Sequence, residues 1–132
     1  MHGNYFLYAE DDAEDVAIFR DAVRDEAHPY QLVCVSDGFS LLQFLQGIQK
    51  DESFPCLIIL DVQMPPLDGL ATLELLRTDD MYRLIPVVIF SSRLSVSETR
   101  TCKQLGAEIL EKPNTYAQWK NVFRRLLTYI DA

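Results

Sequence analysis

The chain has 132 residues, 12 Lys+Arg against 20 Asp+Glu and a formal net charge of −8, a size at which one domain buries roughly two-thirds of its unfolded surface without disulfide staples. A hydrophobic fraction of 48% beside 24% charged residues excludes a disordered, collagen-like or low-complexity chain. The carboxylate surplus argues against a nucleic-acid partner, and no apolar run approaches the roughly 20 residues that cross a bilayer. The opening Met1-His2-Gly3-Asn4 lacks the charged and apolar regions of a signal peptide, so the expected compartment is the cytoplasm. Cys34, Cys56 and Cys102 form no Cys-x-x-Cys pair and read as reduced, buried thiols.

In chain order, Tyr5 to Ala9 is an apolar run too short for a helix and reads as a buried strand. Val16, Phe19 and Val23 follow at helical spacing, then a strand over Leu32 to Val35. Leu41, Leu42, Phe44, Leu45 and Ile48 form the second helical stripe, and polar Gly47 to Pro55 reads as a surface loop. A strand over Leu57 to Leu60 leads through Met64-Pro65-Pro66, a loop-shaping stretch, to a helix carrying Leu70, Leu73, Leu75 and Leu76. Asp68 is placed to cap that helix, and Gly69 allows close packing or an unusual dihedral before it. After a strand over Val87 to Phe90, Ser95 and Glu98 have capping-box spacing for a helix running to Leu105 and stopping at Gly106. A short strand at Ile109 and Leu110 precedes the clearest helix, with Trp119, Val122, Phe123, Leu126, Leu127 and Ile130 on one face and Asn114 placed as its cap. Five strand–helix alternations in one unbroken unit, residues 1–132, imply an α/β fold with a parallel sheet between helical layers. Right-handed crossovers then gather every strand's C-terminal end on one sheet edge, where such folds bind ligands.

The residues at those strand ends carry the chemistry. The first strand runs into Glu10-Asp11-Asp12, the third into Asp61, the fourth into Ser91-Ser92 and the fifth into Lys112-Pro113. Two carboxylates about 4 Å apart repel by roughly 4 kcal/mol at an effective dielectric near 20, so several on one edge need a proton or a cation. A ligand set of oxygens without His or Cys selects a hard divalent ion, and Mg2+ is the abundant one. Beside such an ion one carboxylate becomes a nucleophile toward phosphorus, Lys112 adds a positive charge and the Ser91 hydroxyl can donate to a phosphoryl oxygen. The acid pair nearest the first strand is Glu10 with Asp11 or, slipped by one, Asp11 with Asp12. Strand alternation turns Asp11 inward with Leu7 and Ala9 only if the strand continues.

Each feature also has an ordinary reading. The acids from Glu10 to Asp15 suit the positive end of a helix dipole on their own. Lys112 before Pro113 alone is a surface lysine at a turn, Ser92 suits a loop-backbone partner, and Lys120, Arg124 and Arg125 suit a solvated helix face. Trp119 and the aromatic first strand suit the core, while His2 and His28 lie far from the acidic edge and are expected in solvent. The coincidence of the acids with Asp61 and Lys112 favours the functional reading.

The segments Tyr8-Ala9-Glu10-Asp11-Asp12, Leu57-Ile58-Ile59-Leu60-Asp61, Met64-Pro65-Pro66-Leu67-Asp68-Gly69, Pro86-Val87-Val88-Ile89-Phe90-Ser91-Ser92 and Gly106-Ala107-Glu108-Ile109-Leu110-Glu111-Lys112-Pro113 occur in order along nearly the whole chain. Together they resemble the receiver domain of two-component response regulators, of the chemotaxis-response-regulator type. The resemblance implies a flavodoxin-like doubly wound (βα)5 sandwich with a five-stranded parallel sheet. It implies that Asp61 accepts a phosphoryl group from phosphohistidine on a sensor histidine kinase or a histidine phosphotransfer protein. It also implies that Asp11 and Asp61 ligate Mg2+ directly, that Glu10 does so through water, and that the Gln63 backbone carbonyl completes the protein ligands. Ser91 and Lys112 would contact the phosphoryl group, and Gln63 and Arg93 occupy positions that tune its hydrolysis. Ile109 departs from the family, which usually carries Tyr or Phe there as a rotating readout.

The expected function is therefore a phosphorylation-switched signalling module that is not a turnover enzyme. Because the chain stops just beyond the last helix, output is expected through a separate protein or a homodimer, with no nucleic acid or membrane involved. A Mg2+-dependent phosphatase of the haloacid-dehalogenase kind would place a second aspartate two residues after the nucleophile, where Gln63 stands. A pseudo-receiver interaction module would show degenerate acids, which are intact here. A flavodoxin-like electron carrier would need hydroxyls and amides after the first strand rather than carboxylates.

Overall fold

Five apolar runs become five parallel strands and the stretches between them five helices: β1 (Tyr5–Ala9), α1 (Ala13–Arg24), β2 (Gln31–Val35), α2 (Gly38–Gln46), β3 (Leu57–Asp61), α3 (Gly69–Thr78), β4 (Val87–Ser91), α4 (Val96–Gln104), β5 (Glu108–Glu111) and α5 (Tyr116–Leu127). This is a computed structural model, and it describes residues 3–26, 28–49, 52–64 and 67–130. His2, Pro65 and Pro66, which the sequence reading places in solvent and in a loop, lie outside the described residues. The strand order is β2-β1-β3-β4-β5, the flavodoxin-like order, and all four pairings are parallel.

Both faces of the sheet are covered, so strands β3 and β4 are buried at every residue. Alternate side chains feed two separate cores. Leu7, Ala9, Ile58, Leu60, Val87 and Ile89 pack with Leu41, Leu45, Leu73, Leu76 and Cys102 from α2, α3 and α4. Phe6, Tyr8, Leu57, Ile59, Val88, Phe90 and Leu110 pack with Phe19, Trp119 and Phe123 from α1 and α5. The second core is aromatic. Phe19 lies 5.1 Å from Tyr8 and 5.3 Å from Trp119, centroid to centroid, and Trp119 lies 5.9 Å from Phe90. Each such pair adds about 0.5–1.5 kcal/mol beyond its buried area.

The local signals mostly hold. Asp68 accepts from the Ala71 amide at 2.8 Å and caps α3. Ser95 and Glu98 close a full capping box on α4. That helix ends on Gly106, at φ 71°, the one described residue with positive φ, where the Gly106 and Ala107 amides return to Lys103 and Cys102. Other positions differ. Asn114 does not cap α5: Thr115 accepts from the Gln118 amide, and the Asn114 amide donates instead to the Gln118 side chain at 2.8 Å. Ile48 lies past the end of α2 and packs against the core from a loop, and Leu75 is exposed. Within Gly47 to Pro55, Phe54 is anchored at the core, 5.6 Å from the Tyr82 ring. His28 is half-buried, its ring 4.7 Å from Phe123, with Nδ1 accepting from the Tyr30 amide at 2.9 Å.

Arg77, at the end of α3, staples three segments. Its guanidinium donates to the carbonyls of Leu105 at 2.6 Å, Ile85 at 2.9 Å and Arg83 at 3.1 Å. Arg77→Met strips these carbonyls of their charged donor and lowers stability by about 2–3 kcal/mol in urea denaturation; a change below about 0.5 kcal/mol contradicts the staple. The thiols give a second prediction. Burial pushes Cys56 up to about 11, and its Sγ donates to the Tyr5 carbonyl at 3.2 Å. A thiol reagent at pH 8 labels half-buried Cys34 first, and labels Cys56 and buried Cys102 only when the protein unfolds.

Candidate functional site

Period-2 alternation builds the site. Tyr8, Ile59 and Leu110 face the aromatic core, and two residues beyond each come Glu10, Asp61 and Lys112. Ala9 and Leu60 are register partners, so Glu10 and Asp61 emerge side by side on one face of the sheet edge. The Glu10 amide still pairs with the Val35 carbonyl at 3.0 Å, but β1 ends at Ala9 and the chain then turns away. Glu10 is thereby buried, whereas Asp11 is exposed.

Carboxylate oxygens of Glu10, Asp11 and Asp61 nevertheless lie within 4.8 Å of one another. Asp12 is not among them. It is the N-cap of α1, accepting from the Glu14 amide at 2.9 Å and the Asp15 amide at 3.3 Å. Of the two pairings open in the sequence, the structure brings Glu10 and Asp11 to Asp61 and sends Asp12 to the helix. The strand does not continue to carry Asp11 inward; the turn after Ala9 delivers it.

Lys112 lies among the acids, its Nζ 2.8 Å from Glu10 Oε1, 2.8 Å from Asp15 Oδ2 and 3.5 Å from Asp61 Oδ2. Glu10 Oε1 also accepts from the Tyr8 hydroxyl at 3.0 Å, and Oε2 from the Asp12 amide at 3.2 Å. Burial raises the Glu10 pKa and the adjoining Asp61 carboxyl pushes the same way, against the ammonium of Lys112. Burial alone would lower the Lys112 pKa, but its bonds to Asp15 and Glu10 outweigh that and raise it, so the amine stays charged. Tyr8, buried and bonded to Glu10, is held in its neutral form.

A cleft of about 240 Å³ opens over these groups, lined by Glu10, Asp11, Asp12, Asp61, Gln63, Ser91, Ser92, Arg93 and Lys112. Ser91 is buried, and its hydroxyl donates to the Arg93 carbonyl at 2.8 Å while accepting from the Arg93 amide at 3.0 Å. It is therefore Ser91, rather than Ser92, that serves the loop backbone. Ile109 is half-buried against the aliphatic core. α3 presses on the end of β3: a Cβ at Gly69 would stand 2.4 Å from the Asp61 carbonyl oxygen, and the Gly69 amide bonds the Val62 carbonyl at 3.0 Å. Gly69 serves close approach, not an unusual dihedral. Asp15 is the site residue that sequence reasoning missed as a partner; it was visible only as one more acid in the first turn of a helix.

The chemistry of this donor set suits a hard divalent cation: three carboxylates converge, one exposed and two buried, with no nitrogen or sulfur among them.

Residues 6–124 match the family described as the response regulator receiver domain. The two-component response regulator-like protein APRR5 of Arabidopsis thaliana is 34% identical over 101 residues, 73% of this chain but 18% of that protein. The polar-differentiation response regulator DivK of Brucella anthropi is 29% identical over 108 residues, 81% of this chain and 82% of DivK. The chain thus spans about a fifth of the plant relative and most of the bacterial one. Among solved structures, the Mn2+-bound form of response regulator Rcp1 superposes with a TM-score of 0.85 over 98% of both chains at 20% identity, a likeness of fold. No described helix is long and apolar enough to cross a membrane. The converging acids, the sheet order and the match along almost the entire chain place this protein in the response regulator receiver domain family of two-component signalling.

Proposed function

We propose that Asp61 accepts a phosphoryl group from a phosphohistidine on a histidine kinase or histidine phosphotransfer protein, and that the product changes the protein's contacts with another protein or a second copy of itself. The observation that carries this reading is the convergence of Asp61 with Glu10, Asp11 and the ammonium of Lys112 at one partly open edge. In the transfer, an Asp61 carboxylate oxygen bonds to phosphorus as the P–N bond of the donor breaks, and the imidazole leaves with that electron pair. Mg2+ is the cation this reading assigns to Glu10, Asp11, Asp61 and the Gln63 backbone carbonyl. When bound, it would neutralise the phosphoryl oxygens that otherwise repel the attacking carboxylate. The manganese held by Rcp1, which shares the fold, supports a divalent ion in this family.

The chain's own residues supply the rest. Lys112 is held charged and within 3.5 Å of Asp61 Oδ2, ready to pair with a phosphoryl oxygen. The Ser91 hydroxyl donates its hydrogen bond to the Arg93 carbonyl in the unmodified protein, so donation to a phosphoryl oxygen requires it to release that carbonyl. That exchange ties the state of Asp61 to the loop leading into α4 and biases a two-state surface there. Ile109 has no hydroxyl or ring to swing inward, so the signal would run through the Ser91–Arg93 loop itself. The module is read as a single receiver over 1–132 that works in the cytoplasm without touching nucleic acid or membrane.

Incubation with acetyl phosphate and Mg2+ adds one phosphoryl group by intact-mass spectrometry, and the adduct is absent in Asp61→Asn and when the metal is chelated; an adduct that persists in Asp61→Asn overturns the assignment. The two neighbouring acids separate by calorimetry. Asp11→Asn weakens Mg2+ binding by roughly tenfold or more. Asp12→Ala costs about 1 kcal/mol of stability through the lost cap and leaves Mg2+ affinity near that of the natural protein. The reverse pattern would place the metal pair one residue later.

A further inference from the structure

Lys112 has three ammonium protons and three carboxylate neighbours, and the partner that stands apart is Asp15. It lies on α1, outside the trio of carboxylates able to hold a cation, and yet approaches Nζ at 2.8 Å, nearer than Asp61 at 3.5 Å. Its placement follows from the helix start. Asp15 is the third residue after the Asp12 N-cap, where an acid commonly folds back to the N-cap amide. Here Glu10 Oε2 already accepts from that amide at 3.2 Å, so the Asp15 carboxylate is released toward Lys112. It is largely buried, with 23% of its side chain exposed, so solvent screens the pair less than it would a surface pair.

We propose that Asp15 is a positioning residue that anchors the Lys112 ammonium so that it meets a phosphoryl group arriving on Asp61. This rests on Asp61 being the phosphoacceptor. Glu10 and Asp61 each have a second occupation at the site, the cation or the phosphoryl group, and their hold on Lys112 weakens when they take it up. Asp15 has none, and it keeps one ammonium proton in every state. With that proton and the one on Glu10 held, the third is left for the Asp61 side, whose Oδ2 lies 3.5 Å from Nζ and where a phosphoryl oxygen would accept it. The raised pKa of Lys112, in which the Asp15 bond is the leading favourable contribution, agrees with this hold. A misplaced charge-bearing group is costly in transfers that depend on orientation.

The test compares the natural protein with Asp15→Asn, a near-isosteric change that keeps hydrogen-bonding capacity but removes the charge. At saturating acetyl phosphate and Mg2+, the rate of phosphoryl incorporation falls about tenfold, while the thermal midpoint stays within a few degrees. Without donor or metal, the Lys112 side-chain 15N ammonium signal, protected from exchange in the natural protein, broadens or vanishes in Asp15→Asn. Equal incorporation rates overturn the inference. So does a slower variant whose Lys112 signal is unchanged, because the effect then does not pass through the lysine. A natural protein that takes up no phosphoryl group overturns the reading of Asp61 itself, and a natural protein that does so beside an unimpaired variant overturns the role of Asp15 alone.

Discussion

Carboxylates crowded at one sheet edge repel one another, and the site holds together because a single ammonium stands among them. Glu10, Asp15 and Asp61 all lie within 3.5 Å of Lys112 Nζ, with Asp11 on the open side. Each pair of acids about 4 Å apart costs roughly 4 kcal/mol at an effective dielectric near 20, so one lysine offsets only part of the repulsion. What remains is a standing demand for positive charge at the cleft. Burial of Glu10 sharpens it by removing the water that would otherwise screen the group.

The parity of the strands carries that demand from chain to space. Glu10, Asp61 and Lys112 were legible in the sequence because each stands at or just beyond the end of an apolar run, and a parallel sheet with uniform crossovers must bring those ends together. The same reasoning identified the sheet and four of the helices, each from an apolar run or a stripe at helical spacing, whereas α4, which buries only Cys102, was legible from its capping box and the glycine that stops it. Capping chemistry was legible where the signal was doubly specified, as at Ser95 with Glu98. It was not where two adjacent residues were equally able: Asn114 and Thr115 both cap helices, and a shift of one residue in the start of α5 decided between them.

Contacts made by side chains from distant segments were hidden for a physical reason. Asp15 reads from sequence as a favourable acid in the first turn of α1, and only the packing of that helix beside the end of β5 turns it toward Lys112. His28, remote from the acids, was expected in solvent, yet the packing of α5 against α1 sets Phe123 beside its ring. Ser91 and Ser92 are chemically alike, and which one faces the loop backbone depends on where β4 ends. In each case the residue type allowed two roles, and the fold chose between them, by distant packing at Asp15 and His28 and by the local strand end at Ser91.

The glycine at the head of α3 makes the surroundings of Asp61 mechanically lopsided. On that flank helix and strand touch backbone to backbone, with no room for even a methyl group. On the β4 side, beyond the paired backbone, the Ser91 hydroxyl is bonded to its own loop at Arg93. With the α3 side closed by that backbone contact, the open space beside Asp61 is the cleft it shares with Ser91, Ser92 and Arg93, the residues that lead into α4.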